Sequence, residues 1–312
     1  IFNYIKTNMI KKLIFFFVII GCLKPNEYTE QVNQAEQVIS LQSWDDFIEN
    51  RQGNIPLMII AVHGGSLDPD WIKTRTCDEA TIVKDSYTKE VALKIESQLK
   101  IYGYNPYIVL NDLHRKKLDL NRSLNKSNCG DSTTKPYWNL FHEQVYNYRT
   151  EIQNKFGSGL VIDIHGQSHE EQRIELGYLL SSSELKMDNS TINSSSFKNE
   201  SSVRSLLNKN LGELKLTDLL SGEFSIGSLL SQKGYASVPS KEVIAPKEGE
   251  LYFSGGYNTA IYGSRNSGSV DAIQIELNMN GVRNTDENRS VFSKNFAEVI
   301  ISYLKTYYKN DL

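Results

Sequence analysis

The amino-acid sequence predicts an α/β protein in three layers, a mostly parallel or mixed central sheet flanked by helices. Three observations predict it. Short apolar runs rich in Val, Ile and Leu recur along the chain, longer stretches between them carry apolar residues at helical spacing, and two of the runs end in a His-Gly pair, as buried strands end at functional loops. The composition agrees with a folded globule. Of 312 residues, 39% are hydrophobic and 23% charged, which is too apolar for disorder. A chain of this length buries an apolar core without disulfide staples. A net charge of -3 supplies no basic field and argues against nucleic acid as a partner.

In order along the chain, residues 57–62 form an apolar run that ends at His63-Gly64-Gly65 and reads as a buried strand. Residues 87–101 place Val91, Ile95 and Leu99 four apart with charges between them, which sets the three on one helix face. Residues 107–110 read as a second strand, 137–155 as a helix, and 160–164 as a third strand running into His165-Gly166. Residues 175–180 and 272–277 read as further strands, and 291–307 as a closing amphipathic helix. Residues 181–209 are rich in Ser and Asn with little periodicity. They are expected to form a surface insertion or lid within one domain.

The first 22 residues stand apart. Lys11 and Lys12 precede an apolar run, residues 13–20, that is too short to span a bilayer as a helix, and the run ends in Ile19-Ile20-Gly21-Cys22. This order of charge, apolar stretch, small residue and cysteine is similar to a bacterial lipoprotein signal, in which the cysteine is lipidated and becomes the mature N-terminus. Met9 would open a compact signal over residues 9–21. The expected organisation is a signal over 1–21, a polar tether over 22–45 and a single folded domain over 46–312. Membrane contact is expected only through the lipid on Cys22, at the cell envelope, on the outer membrane or a periplasmic face. Cleavage removes Lys6, Lys11 and Lys12 and no acidic residue, so the charge moves from -3 to -6. With Cys22 lipidated, Cys77 and Cys129 remain as an even pair. In an oxidising compartment they are expected to form a disulfide, the alternative being two free buried thiols.

Of the five histidines, His63 and His165 each sit directly after a strand and before glycine. Asp68 follows in the loop Ser66-Leu67-Asp68-Pro69. Two imidazoles and one carboxylate with a position left open form the ligand set of a catalytic zinc site; the alternative is two structural histidines held by hydrogen bonds. Asp163, two residues before His165, points to the same strand face and would orient that ligand, or else pair with a base. His169 is near enough to contribute, although a solvated loop position is expected, and His114 and His142 read as structural. In the polar stretch from Asn111 to Arg122, Leu118 and Leu120 alternate with Asp119 and Asn121, a sign of ordered extended backbone. Its two arginines, Arg115 and Arg122, and Asn121 would make a receptor for a carboxylate. Glu276 lies in the apolar run Gln274-Ile275-Glu276-Leu277. Buried there, its carboxyl needs a partner or an acid–base role; on an edge strand it faces solvent.

Taken in order, His63-Gly64-Gly65 with Asp68-Pro69, then Arg115-Lys116-Lys117-Leu118-Asp119-Leu120-Asn121-Arg122, then Asp163-Ile164-His165-Gly166, Phe253-Ser254-Gly255-Gly256-Tyr257 and Gln274-Ile275-Glu276, the chain resembles the N-formylglutamate amidohydrolase family. Relatives of that family include poly-γ-glutamate hydrolases and, more distantly, zinc carboxypeptidases. The resemblance runs from Pro56 to the C-terminus. It implies a zinc carboxypeptidase-like fold with one catalytic zinc, His63 and His165 as its imidazole ligands, and Asp68 where relatives carry a glutamate. Aspartate is one methylene shorter, so Asp85, at the start of the helix containing Thr88, is the alternate ligand. Glu276 matches the general base and acid, Asn121-Arg122 matches a carboxylate-binding pair, and Arg115 would polarise the scissile carbonyl.

The expected function is zinc-dependent hydrolysis of an amide or formamide bond in a small-molecule or peptide substrate with a free carboxylate. Two other readings stand beside it: a cell-surface zinc peptidase or poly-γ-glutamate hydrolase, and a binding lipoprotein whose site has decayed, which aspartate in place of glutamate would favour.

Overall fold

The structure, a computed structural model, describes residues 43–210 and 212–308. The expected signal, Cys22 and most of the tether lie outside the described residues. The chain divides into two units, Ile1–Asp46 and Phe47–Leu312, and the second carries the sheet and the candidate site.

Seven strands form one mixed sheet: β1 (Ile48–Arg51), β2 (Leu57–Ala61), β3 (Tyr107–Asn111), β4 (Gly159–Gly166), β5 (Ile174–Gly177), β6 (Ser237–Val238) and β7 (Val270–Leu277), in the order β1-β3-β2-β4-β7-β5-β6. The central four, β3, β2, β4 and β7, are parallel; β1 runs antiparallel to β3, and β5 antiparallel to β7. β2, β3 and β7 are buried along their whole length. Covered on both faces, such strands read as unbroken apolar runs rather than as alternation, which is why they are visible in the sequence.

Four helices position the site: α1 (Thr88–Ile101), α2 (Lys135–Phe156), α3 (Tyr257–Tyr262) and α4 (Asp286–Tyr307). Val91, Ile95 and Leu99 of α1 and Phe292, Phe296 and Ile300 of α4 pack into one core with Leu57, Ile59, Ile162, Ile164, Ile273 and Ile275. The alternate strand residues Met58, Ile60 and Val161 point to the opposite face. There α2 buries Tyr137, Phe141, Val145 and Ile152. Pro136 in its first turn and Gly157 just past its end set the limits of α2. α4 begins five residues before its apolar period, because Thr285 caps it by accepting from Asn288 N.

Two segments differ from expectation. Residues 181–209 are more ordered and more buried than their Ser and Asn content suggests. They fold into the short helices Ser182–Leu185, Asn189–Ile192, Ser195–Glu200 and Arg204–Lys209, and Leu185, Ile192, Val203, Leu206 and Leu207 join the main core. The apolar residues are spaced too irregularly among Ser and Asn to show a period, because each helix is only one or two turns long. The strand expected over 175–180 stops at Gly177, where the chain leaves the sheet and Leu179 takes a left-handed backbone with φ 67°. Among the described residues no helix is long and apolar enough to cross a membrane.

Candidate metal centre

β2 and β4 are adjacent and parallel, so the segments leaving their carboxyl ends bring His63 and His165 together. His63 Nδ1 and His165 Nδ1 are 3.1 Å apart, and Asp85 Oδ2 lies 3.3 Å from the first and 3.2 Å from the second. All three side chains are buried. Three donor atoms at these spacings match one face of a tetrahedron around zinc, whose bonds of about 2.0–2.1 Å give edges of about 3.3–3.4 Å. Two imidazole nitrogens and a carboxylate oxygen this close need shared protons or a metal cation between them, and a set of two imidazoles and one carboxylate fits a metal ion. Burial alone would push the Asp85 carboxyl up, but the two imidazoles beside it hold it well below the usual carboxylate range. Burial likewise opposes charge on His165, yet Asp163 and Asp85 raise it well above the usual histidine value.

The outer nitrogens of both imidazoles meet carboxylates. His63 Nε2 lies 2.7 Å from Asp119 Oδ1, and His165 Nε2 lies 3.0 Å from Asp163 Oδ2. Asp119, hydrogen-bonded to the outer nitrogen of His63, keeps a proton there and turns the lone pair of Nδ1 toward the site. Arg115 joins the two sides of this shell: Nη1 is 3.3 Å from Asp85 Oδ1, and Nε is 3.1 Å from Asp119 Oδ2. Burial opposes the charge on Asp119, but His63, Arg115 and Arg75 hold its carboxyl far below the usual range. These contacts set Arg115 between Asp85 in the triangle and Asp119 behind His63.

The segment carrying Asp85 is fixed from three directions. Asp85 N donates to His63 O at 3.0 Å, and Gly166 N donates to Asp85 Oδ2 at 3.2 Å. Arg283 Nη1 donates to Ser86 O at 2.6 Å. The same buried guanidinium donates to Leu277 O at 3.0 Å and Gln167 O at 2.8 Å, tying the ends of β4 and β7 to the Asp85 loop. Gly166 makes room for it, since a Cβ there would lie 2.5 Å from Arg283 Cζ. Gly65 serves a similar purpose behind His63, where a Cβ would lie 2.4 Å from the Asp112 backbone.

Glu276 is the register partner of His165 across the parallel β4–β7 pair, and Gln274 that of Asp163. Their side chains therefore share one sheet face. Glu276 is buried in the interior of the sheet, not on an edge, and Gln274 Nε2 donates to its Oε1 at 2.8 Å. Burial, reinforced by Asp85, Glu175 and Asp163 against the pull of His165, pushes its carboxyl up to about 8. Such a group changes protonation state near neutral pH.

Asp68 is not part of the triangle. Its side chain is 39% exposed against 9% for Asp85. It pairs with Lys116 and, at 3.2 Å, with Lys117. Pro69 and the exposed Ser66 and Leu67 carry it outward, so the carboxylate at the centre comes from Asp85, 22 residues beyond His63. Asn121 is buried beside His165, with Nδ2 3.5 Å from His165 Nε2 and Oδ1 accepting from Asn258 N at the start of α3. Arg122 is exposed. His169, expected in solvent, instead stacks on Phe253 and contacts Glu175. His142 bonds the Tyr262 hydroxyl, and His114 Nδ1 accepts from Lys116 N. Cys77 and Cys129 form a disulfide with Cα atoms 5.5 Å apart. The sequence alone gives no role to Asp119, Arg283 or Glu175. For Asp119 a signal existed, because alternation with Leu118 and Leu120 aims it away from their apolar side.

The chain has no match among protein-family models or curated proteins. Among solved structures it is similar to an N-formylglutamate amidohydrolase from Ralstonia eutropha JMP134, with a TM-score of 0.55 at 12% identity over 84% of this chain and 98% of that one. It also aligns with a gene product of Agrobacterium tumefaciens, at TM-score 0.47 and 12% identity over 83% of this chain and 94% of that one. A bacteriophage poly-γ-glutamate hydrolase aligns at TM-score 0.37 and 12% identity over 83% of this chain and 89% of that one. The first of these likenesses establishes the fold: this chain has the α/β architecture of that amidohydrolase, a mixed sheet with flanking helices.

Proposed function

We propose that the chain is a zinc-dependent hydrolase of the N-formylglutamate amidohydrolase type, cleaving an amide or formamide bond in a substrate that carries a free carboxylate. The observation that carries this reading is the buried His63–Asp85–His165 triangle, with the edge lengths of a tetrahedral zinc site, placed in register with the buried Glu276. Zinc held by these three residues supplies a Lewis acid that acidifies a water and polarises a carbonyl.

The chain's own residues do the rest. Asp119 and Asp163 orient the two imidazoles, and Arg115 balances Asp85 and Asp119. Asn121, with Arg122 at the rim, holds the substrate carboxylate. Glu276 takes a proton from the attacking water, and a carboxyl pushed up to about 8 can accept and release one near neutral pH. Arginine at the site is needed because the net charge of -3 repels an anionic substrate.

The Cys77–Cys129 disulfide favours a second reading of the substrate, a peptide or γ-linked glutamate chain met outside the cytoplasm. That location accords with a lipid anchor at Cys22 and a tether over residues 22–45, leaving residues 46–312 as the zinc hydrolase domain. The test is elemental analysis for one zinc per chain, followed by assay against N-formyl amino acids, acidic peptides and γ-linked glutamates. Glu276→Gln is expected to keep zinc and lose turnover. A Glu276→Gln protein with full activity would refute the assignment, and an inactive, zinc-free wild type would return the chain to the class of binding proteins.

A further inference from the structure

The polar row that crosses the sheet continues past Glu276. On the far side of β7, β5 sets Glu175 opposite Glu276 in register, so His165, Glu276 and Glu175 form one line across three strands, neighbours about 5 Å apart at the backbone. Glu175 is fully buried, and both of its oxygens are engaged. Oε1 lies 2.8 Å from His169 Nδ1, and Oε2 accepts from Phe253 N at 2.8 Å. A buried carboxylate on Nδ1 fixes the tautomer of an imidazole and leaves Nε2 as its working atom. Among the described residues His169 Nε2 has no hydrogen-bond partner.

The imidazole is also held in place. It stacks on Phe253, with ring centroids 4.6 Å apart and planes 21° apart, and its side chain is 11% exposed. Gln167 Oε1 accepts from His169 N at 2.5 Å, Gln167 Nε2 donates to Arg173 O at 2.8 Å, and Arg283 fastens Gln167 O. A rigid imidazole with one open nitrogen thus sits four residues after the ligand His165, on the loop leaving the same strand. A surface histidine kept only for packing needs no buried carboxylate behind it.

We propose that His169 is a second acid–base residue of this site, which delivers a proton from Nε2 to the nitrogen of the leaving group. The inference rests on the hydrolase reading above. The water oxygen adds to the carbonyl carbon as Glu276 takes the water's proton. The C–N bond then breaks with its electron pair on nitrogen, nitrogen takes the proton from His169 Nε2, and Glu175 balances the imidazolium beforehand. Glu276 then loses its proton to solvent and His169 regains one, which closes the cycle. The ionisable groups around the dyad are Glu276 on β7, the Arg173–Glu250 pair at 2.6 Å, Glu170 and Glu171 of the same loop, and the Tyr252 phenol, which donates to Leu176 O. An acid must be protonated to act, so the rate should fall as pH rises.

The experiment uses the zinc-loaded full chain, with N-formyl-L-glutamate and γ-L-glutamyl-L-glutamate as probes, and reads kcat and KM from about pH 5.5 to 9. His169→Gln is expected to keep one zinc per chain, lose roughly 100-fold or more in kcat with KM nearly unchanged, and lose the alkaline limb of the profile. His169→Ala is expected to regain rate on addition of imidazole, which a purely structural histidine would not allow. An active wild type alongside an equally active His169→Gln with an unchanged profile overturns this proposal alone. So does a loss of rate that imidazole does not restore. A wild type that turns over neither probe overturns the hydrolase reading and this proposal with it. Should His169→Gln fail to hold zinc, Glu175→Gln keeps the imidazole and decides the matter: a displaced alkaline limb supports the proposal, and an unmoved one overturns it.

Discussion

Asp85→Ala and Asp68→Ala make a paired test of which carboxylate completes the metal centre. Asp85 Oδ2 lies 3.2–3.3 Å from the two imidazole nitrogens, whereas Asp68 is paired with Lys116 and Lys117 at the surface. Zinc held by four protein ligands is bound by roughly 10–16 kcal/mol. One ligand is therefore worth roughly 3–4 kcal/mol, and its loss weakens binding by a factor of about 100 to 1,000. Asp85→Ala also leaves Arg115 Nη1 and Gly166 N without an acceptor, which adds to the loss. Asp68→Ala removes a surface ion pair and is expected to stay within about 0.5 kcal/mol of wild type. Zinc affinity is read by competition with a chromophoric chelator, with circular dichroism as a check on folding. Wild-type affinity in Asp85→Ala, or a large loss in Asp68→Ala, would refute the geometry.

Three further outcomes follow from the same contacts. Asp119→Asn, which disturbs the carboxylate behind His63, should weaken zinc binding by about 10- to 100-fold in the same chelator assay while leaving the fold intact. Cys77→Ser with Cys129→Ser should cost about 4 kcal/mol in urea unfolding, from the 52-residue loop the disulfide closes; an unchanged midpoint would contradict that. Burial pushes Asp271 up to about 7 against the bonds it accepts from Ser264 and Tyr308. A carboxyl raised in the folded state stabilises it when protonated, so this contribution is complete below about pH 4 and is lost as pH rises through about 7. At 1.36 kcal/mol per unit the loss amounts to roughly 4 kcal/mol, and Asp271→Asn should abolish it in unfolding measured across that range.

The parts of the fold legible in the sequence are those where one physical signal dominates. β2 and β7 show because strands covered on both faces are continuous apolar runs, and α1 shows because Val91, Ile95 and Leu99 keep its period. His63 and His165 show because a histidine followed by glycine at a strand end has few other uses. Asp85 and Asp68 lie on the same long connection between β2 and α1. Spacing favoured Asp68, five residues from His63, but the choice between them depends on how that loop folds back, with Asp85 N on His63 O and Arg283 on Ser86 O. Arg283 itself lies 118 residues beyond His165 in sequence, and nothing local marks it. Residues 181–209 hide their helices for the opposite reason, since their core leucines sit on helices too short to establish a period.

X-ray absorption at the zinc edge, combined with anomalous scattering from crystals of the zinc-loaded chain, tests the central claim most directly. The account predicts one zinc per chain, bound through Nδ1 of both His63 and His165 at about 2.0–2.1 Å and through a carboxylate oxygen of Asp85 at about 2.0–2.2 Å, with Glu276 facing it. A chain that takes up no zinc, or that holds it through Asp68 or through the outer Nε2 atoms, would contradict it.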